Sequence, residues 1–165
     1  MRQLGRGFFN RDTVIVAREL VGKILQVDDV RARILEVEAY KDDKASHAHT
    51  KTPRSSIMYD TYGHVYVYFI YGMYHCLNIT TDTGPGAVLI RALDIPRCDG
   101  PGKLCMTLNI TKKDNGLCLG GRFKVLDDGF RPNIVCSGRI GIRHDRHLNW
   151  RFYEEKFGPY QSSVK

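Results

Sequence analysis

A strict two-residue alternation over Val65–Ile70 constrains this chain more than any other feature. Val65, Val67 and Phe69 leave one side of an extended segment and Tyr66, Tyr68 and Ile70 the other, as in a β-strand with two unlike faces. Tyr71-Gly72-Met73 breaks the pattern and residues 75–80 resume it, which predicts a hairpin turning at Gly72 with Tyr71 and Met73 at its tip. Residues 59–74 hold six of the nine tyrosines, so this hairpin is either an aromatic strand pair folded into a core or one whose exposed tip meets a partner.

The charge balance narrows the partner. Lys and Arg number 25 against 18 Asp and Glu, a net charge of +7 that favours polyanions such as DNA or RNA. Proteins that bend DNA insert apolar wedges between base steps and lose roughly a few kcal/mol of stacking per step. An exposed Tyr71 and Met73 suit that use. The positive charges are spread along the chain without a basic tail, so an anion-binding surface has to be assembled by folding. With 165 residues, one domain over residues 1–165 can bury a core unaided. The longest apolar runs are strand-sized, well below the ~20 residues of a membrane span, and the N-terminus lacks a signal peptide's apolar stretch. These features predict a soluble intracellular protein with no membrane partner, in cytoplasm and nucleoid or in a nucleus according to the organism. Cys76, Cys98, Cys105, Cys118 and Cys136 make no C-x-x-C and, being odd in number, cannot all pair with one another. They read as reduced, mostly buried thiols.

Asp12 or Asn10 can cap a short helix with Val14, Ala17, Leu20 and Val21 on one side and Gly22 at its end. Strands are expected at residues 23–27, 31–37, 65–70, 75–80, 87–93, 123–126 and 139–143, and a second short helix from Pro101 to Leu108. Residues 41–62 and 111–122 read as surface loops and 154–165 as a fraying end. Strand and helix do not alternate regularly and no repeat is present, so the expected fold class is α+β: a mainly antiparallel, open-barrel-like sheet with small surface helices.

Glu36 and Glu38 lie two apart on an expected strand and therefore share a face. One carboxylate there can serve as a general base, if it reaches the proton it takes and is tuned by burial or a neighbouring arginine. The plain alternative is two exposed glutamates on a half-solvated strand. His47 and His49 have the same spacing, but no acidic or cysteine partner completes a familiar ligand pattern, so no metal is expected. His144 and His147, in a charged segment, read as solvated. The glycines of residues 83–87 and 99–103 match neither Walker nor Rossmann spacing, and no cofactor is expected. Backbone amides at residues 100–103, beside Lys103, suit a DNA phosphate.

Seven strings follow one another along almost the whole chain: LEVEAY (35–40), ASHA (45–48), TPR (52–54), VYVYFIYGMYHCLN (65–78), VLIRAL (88–93), GPGKL (100–104) and RIGI (139–142). In order and spacing they resemble the alkyladenine, or methylpurine, DNA glycosylase family. The resemblance implies a compact α/β fold like an open barrel, with a β-hairpin inserted in the minor groove. It implies a repair enzyme acting on double-stranded DNA that contains alkylated or deaminated purines, and for an enzyme that must scan a polyanion a monomer is the default expectation. Such an enzyme flips 3-methyladenine, 7-methylguanine and, within reach, hypoxanthine or ethenoadenine out of the duplex and hydrolyses the N-glycosidic bond, leaving an abasic site. By the same resemblance Glu38, rather than Glu36, activates the water, Arg91 helps hold carboxylate and water, and the Ile140 carbonyl adds a contact to that water. Tyr71 enters the duplex with Met73 beside it; Tyr40, His47 and Tyr68 wall the extruded base; Asn78 disfavours the amino group of normal guanine. Arg54 and Lys103 stand as phosphate contacts. None of Lys41, Lys44 and Lys51 is marked as a Schiff-base nucleophile, so no strand cleavage is expected. Residues 94–100 form a connection shorter than the insertion some relatives carry.

Two other readings compete. A binding protein that senses damage without cutting would be signalled by loss of Glu38 or Arg91, and both are present. A metal-dependent hydrolase built on His47 and His49 would be signalled by bound metal or by activity that a chelator abolishes.

Overall fold

The computed structural model describes residues 1–82 and 84–157. Strands β1 (Arg2–Gln3), β2 (Ile24–Val27), β3 (Val30–Tyr40), β4 (Val65–Ile70), β5 (Tyr74–Thr81), β6 (Gly86–Leu93), β7 (Phe123–Asp127), β8 (Ile134–Ser137) and β9 (Arg151–Glu154) form one sheet. Every pairing in it is antiparallel. The order along the main path is β1-β7-β2-β3-β6-β5-β4, with β9 added to β3 and β8 outside it. The long strand β3 is the hub. It pairs with β2 over Val30–Arg33, then with β6 and β9 on its two edges around Glu36–Glu38, and the sheet curls into a half-barrel there.

Helices are short: α1 (Arg6–Phe9), α2 (Thr13–Leu20), α3 (Ser56–Asp60) and α4 (Pro101–Thr107). The Asp12 carboxylate accepts from the amides of Val14 and Ile15 at 3.1 and 3.3 Å and so caps α2, filling two of the donors a helix start leaves open. Its buried side carries Thr13, Val16, Ala17 and Leu20, whereas Val14 is only partly buried and Ile15 is exposed. The expected stripe of Val14, Ala17, Leu20 and Val21 does face the core, and Thr13 and Val16 widen it. Helix α4 packs on β5 and β6, and Gly102 permits it: a Cβ there would fall 2.7 Å from the Tyr74 ring, so any larger residue would push α4 off the tip end of the hairpin.

Period-two alternation sorts the sheet into two unlike faces. Val37 and Ala39 of β3, Val65 and Val67 of β4, Leu77 and Ile79 of β5, Val88 and Ile90 of β6 and Phe152 of β9 all join the main core with α2 and α4. The intervening residues point the other way: Glu36, Glu38 and Tyr40; Tyr66 and Tyr68; Cys76 and Asn78; Leu89 and Arg91; Arg151. That second face is covered by residues 41–62 and 139–142.

Four expectations change at this point. Residues 139–143 are not a strand; they run irregularly, with Gly141 at φ 72°, while β8 and β9 form on either side. Residues 41–62 are not wholly a surface loop, because they hold a 3₁₀ turn at His47–His49 and helix α3, whose Met58 is buried in a small second cluster with Ala48, Tyr66 and Ala87. Residues 154–157 are ordered as the end of β9 and a 3₁₀ turn, and the rest of the expected fraying end lies outside the described residues. Glu36 and Glu38 are not two exposed glutamates, since both have no exposed surface. Alternation along β3 alone looks like a half-solvated strand; the 139–142 segment over Glu38 and Arg151 of β9 against Glu36 take both carboxylates out of water.

Candidate active site

On the second face, β3, β6 and the 139–142 segment converge on Glu38. Its Oε1 accepts from the Tyr40 hydroxyl at 2.9 Å and from Arg91 Nη1 at 3.5 Å, and its Oε2 accepts from the Ile140 amide at 2.6 Å. All three neighbours donate, which suits the acceptor-only carboxylate. Arg91 in turn reaches Glu36 Oε1 with Nε at 3.0 Å, and Arg151 Nε reaches the same oxygen at 2.6 Å. Burial opposes the charge on Arg91, but the Glu38 and Glu36 carboxylates outweigh it and hold the guanidinium above its ordinary range. Burial first, then the Glu38 charge, pushes the Tyr40 hydroxyl well above a normal phenol, so it remains a neutral donor.

Above this cluster lies a cavity of about 210 Å³ lined by Tyr40, His47, Met58, Tyr66, Tyr68, Asn78 and Ile140, with Tyr71 at its edge. At that volume it is smaller than a drug-sized site and of the scale of one flat heterocycle. Glu38 itself does not line it: two of its donors, Tyr40 and Ile140, stand between. The walls are aromatic and mutually braced. The His47 ring meets Tyr68 edge-on at 4.5 Å between centroids, and His47 Nδ1 bonds the Tyr66 hydroxyl at 3.0 Å. Burial, helped by the positive charge of Arg54, lowers His47 to about 4, which keeps the imidazole neutral at physiological pH. Asn78 Nδ2 donates to the Tyr66 carbonyl at 3.3 Å, which fixes how its amide faces the cavity.

At the far end of β4 the hairpin turns as expected. Tyr71 (φ 52°) and Gly72 (φ 62°) both take left-handed backbone, and the Met73 amide closes the turn on the Ile70 carbonyl at 3.0 Å. For a tyrosine that conformation costs about 1–2 kcal/mol, and strain of this kind tends to persist where it is used. Tyr71 is 71% and Met73 66% exposed. A second face of Ile70 and Tyr71 closes the cavity, so tip and pocket share residues.

Glu38, Arg91, Tyr40, Ile140, His47, Tyr68, Asn78 and Tyr71 are therefore brought together, with Met73 beside Tyr71. Ile140 meets Glu38 through its amide, a contact separate from the water contact expected of its carbonyl. Arg54 is exposed with its guanidinium 5.5 Å from the Tyr68 ring centre, at the rim. Lys103 is not part of the cluster; it pairs with Asp99 at 3.2 Å and lines a separate groove of about 870 Å³ with Leu93, Ile95 and Met106. Asp94, Arg97 and Asp99 also line that larger groove. His47 and His49 do not converge either: His49 Nδ1 faces the Asp42 carbonyl at 3.1 Å, and among the described residues no three His, Cys, Asp or Glu side chains are placed to hold a metal. Of the thiols, Cys76, Cys98 and Cys105 are buried and Cys118 and Cys136 exposed. No helix of the described residues is long and apolar enough to cross a membrane.

Tyr66 and Arg139 were not singled out from sequence. Tyr66 carried a signal, since it shares its strand face with Tyr68. Arg139 carried none: it is buried against the Tyr40 and Trp150 rings, 4.8 and 5.2 Å from their centres, and pairs with Asp43 at 2.7 Å and the Ala39 carbonyl at 3.1 Å. It thereby ties the segment bearing the Ile140 amide to β3.

Comparison with known proteins agrees with this arrangement. The methylpurine-DNA glycosylase family model matches residues 7–157. A Sodalis glossinidius protein provisionally named 3-methyladenine DNA glycosylase is 46% identical over 161 residues, covering 90% of this chain and 95% of its own. Proteins with the same name from Clostridium novyi and Methanocella arvoryzae are 42% and 40% identical, each across more than nine-tenths of both chains. A match that takes in the buried Glu38 cluster, the aromatic cavity and the exposed hairpin tip together shows that this chain belongs to the methylpurine-DNA glycosylase family.

Proposed function

We propose that the chain excises alkylated purines, 3-methyladenine and 7-methylguanine first, from duplex DNA by hydrolysing the N-glycosidic bond, and leaves the strand uncut. The observation that carries this is Glu38, wholly buried and held by three donors directly behind an aromatic cavity of base size. A duplex shields C1′ of the sugar, so the target nucleotide has to leave the stack, and a damaged base leaves it more easily; glycosylases are the standing example of that rule. Tyr71 fills the gap with Met73 beside it, Tyr40, His47 and Tyr68 stack around the base, and Asn78 opposes the amino group of guanine.

Water attacks C1′ as the bond to the purine breaks, its proton passes to Glu38, and the bonding electrons leave with the base. An alkylated purine already carries positive charge and departs neutral, so one carboxylate beside a developing oxocarbenium ion suffices. A carboxylate accepts about four hydrogen bonds, so Glu38 can take the water beside its three donors or in place of one of them. The Tyr40 hydroxyl can yield without any backbone change, whereas the Ile140 amide is anchored through Arg139. Hypoxanthine and ethenoadenine are poorer leaving groups and are slower substrates in this scheme. The DNA phosphates meet Arg54, at the cavity rim, and Lys103.

The test is base release from duplex oligonucleotides carrying 7-methylguanine or hypoxanthine, with EDTA present, for the native protein and Glu38→Gln. Free base without strand scission, lost in the variant, is the expected result. Lesion-duplex binding with no release by the native protein would replace this reading with damage sensing.

A further inference from the structure

Glu38 is not the only buried carboxylate on β3. Glu36 is equally without exposed surface, and one of its oxygens, Oε1, takes both Arg91 Nε at 3.0 Å and Arg151 Nε at 2.6 Å. Arg91 therefore stands closer to Glu36 than to Glu38, which its Nη1 meets at 3.5 Å. The two carboxylates and two guanidiniums balance in charge, as buried ions must if they are to remain ionised. We infer that Glu36 is a positioning residue for base release: by holding Arg91, it prevents that arginine from closing a two-pronged ion pair on Glu38 and so keeps the Glu38 carboxylate able to take a proton.

The physical reason is a competition. A guanidinium facing a single carboxylate forms parallel N–H···O bonds, the strongest arrangement open to the pair, and a carboxylate so engaged is a poorer base. Glu36 diverts the Nε side of Arg91 and leaves a long contact on Glu38. It also anchors Arg151, whose Nη1 reaches Ser137 Oγ at 3.0 Å and whose strand covers the open edge of β3. The ionisable neighbours of Glu38 are few. They are Glu36 and Tyr40 on its own strand, Arg91 on β6, Arg151 on β9 and Cys76 on β5, with Arg139 and Asp43 behind the Ile140 amide. Burial pushes the Cys76 thiol up to about 11 and Tyr40 higher than a free phenol, so both remain neutral while Glu38 works.

The inference rests on Glu38 being the base, and the experiment separates the two claims. Single-turnover base release from a 7-methylguanine duplex is followed against pH for the native protein, Glu36→Gln, Glu36→Asp, the double variant Glu36→Gln/Arg151→Gln and Glu38→Gln, with circular dichroism to check folding. For Glu36→Gln we expect a maximal rate lower by on the order of tenfold to a hundredfold, lesion-duplex affinity within about twofold of native, and an acid limb displaced downward by about 1 pH unit. The double variant, charge-balanced again, should show the same displaced limb. Glu36→Asp keeps the charge and should bring the limb back. An undisplaced limb in a folded Glu36→Gln or in the double variant would overturn the inference while leaving Glu38 as the base. Native activity in Glu38→Gln would overturn the parent reading first.

Discussion

The Glu38 cluster and the hairpin tip break the ordinary rule of burial in opposite directions. Glu36, Glu38, Arg91 and Arg151 are charged side chains taken out of water, whereas Tyr71 and Met73 are large apolar ones left in it. Soluble proteins seldom bury charges unless they are paired, and scattered exposed apolar groups need no explanation until strain holds them out. Here the charges are paired, and the exposed tyrosine sits on left-handed backbone. The difference teaches where each region finds its compensation. The cluster is compensated within the chain by opposite charges, although Glu36 Oε2 accepts no hydrogen bond among the described residues. The tip is not covered by the described residues, and in the proposed function DNA completes it.

The largest expected effect breaks the comparison on the chemical side. Glu38→Gln should slow base release on the order of a thousandfold while lesion-duplex affinity stays near native, and loss of binding in step with loss of release would deny the cluster a purely chemical role. Next, Arg91→Met should leave two carboxylates short of a buried partner and lower stability by about 3–5 kcal/mol, read by urea denaturation; a loss below about 1 kcal/mol would mean the cluster is not charge-compensated as drawn. Tyr71→Ala should weaken lesion-duplex binding by about 1–3 kcal/mol and spare release from a base that is already extruded, and equal losses on both substrates would remove the wedge from the account. It should leave folding intact, since its ring lies outside the core.

The smallest effect sharpens the boundary between the two regions, at His47. Its folded value of about 4 lies below the ordinary 6.5, so the unfolded chain binds the proton first as pH falls. The group adds nothing above pH 6.5; stability should decline modestly as pH drops from about 6.5 to about 4, tempered because the ring is partly open to solvent. An NMR titration should place His47 well below the ordinary 6.5, and a midpoint near 6.5 would show that the cavity wall does not desolvate it.

Much of this was legible before any coordinates. The alternation of Val65–Ile70, the turn at Gly72 and the cap at Asp12 each act through neighbours a few residues apart, and each formed as expected. Strands β2, β3, β6 and β7 fell within a few residues of their expected places for the same reason. The 139–142 segment shows the opposite case. Arg-Ile-Gly-Ile reads as a strand by composition, yet Arg139 finds Asp43, the Ala39 carbonyl and two aromatic rings, and those long-range contacts override local propensity.

The sequence by itself determined which residues could act: a same-face pair of glutamates, an aromatic hairpin, an arginine within an apolar strand and a positive net charge. Those depend on side-chain period and composition, which one strand suffices to express. Only the tertiary structure decided that Glu36 and Glu38 are buried, that Arg91 leans toward the first of them, and that the Ile140 amide, 102 residues away, donates to the second. Burial and charge compensation depend on what returns to cover an edge or a face, and β9 and the 139–142 segment arrive there from more than a hundred residues down the chain.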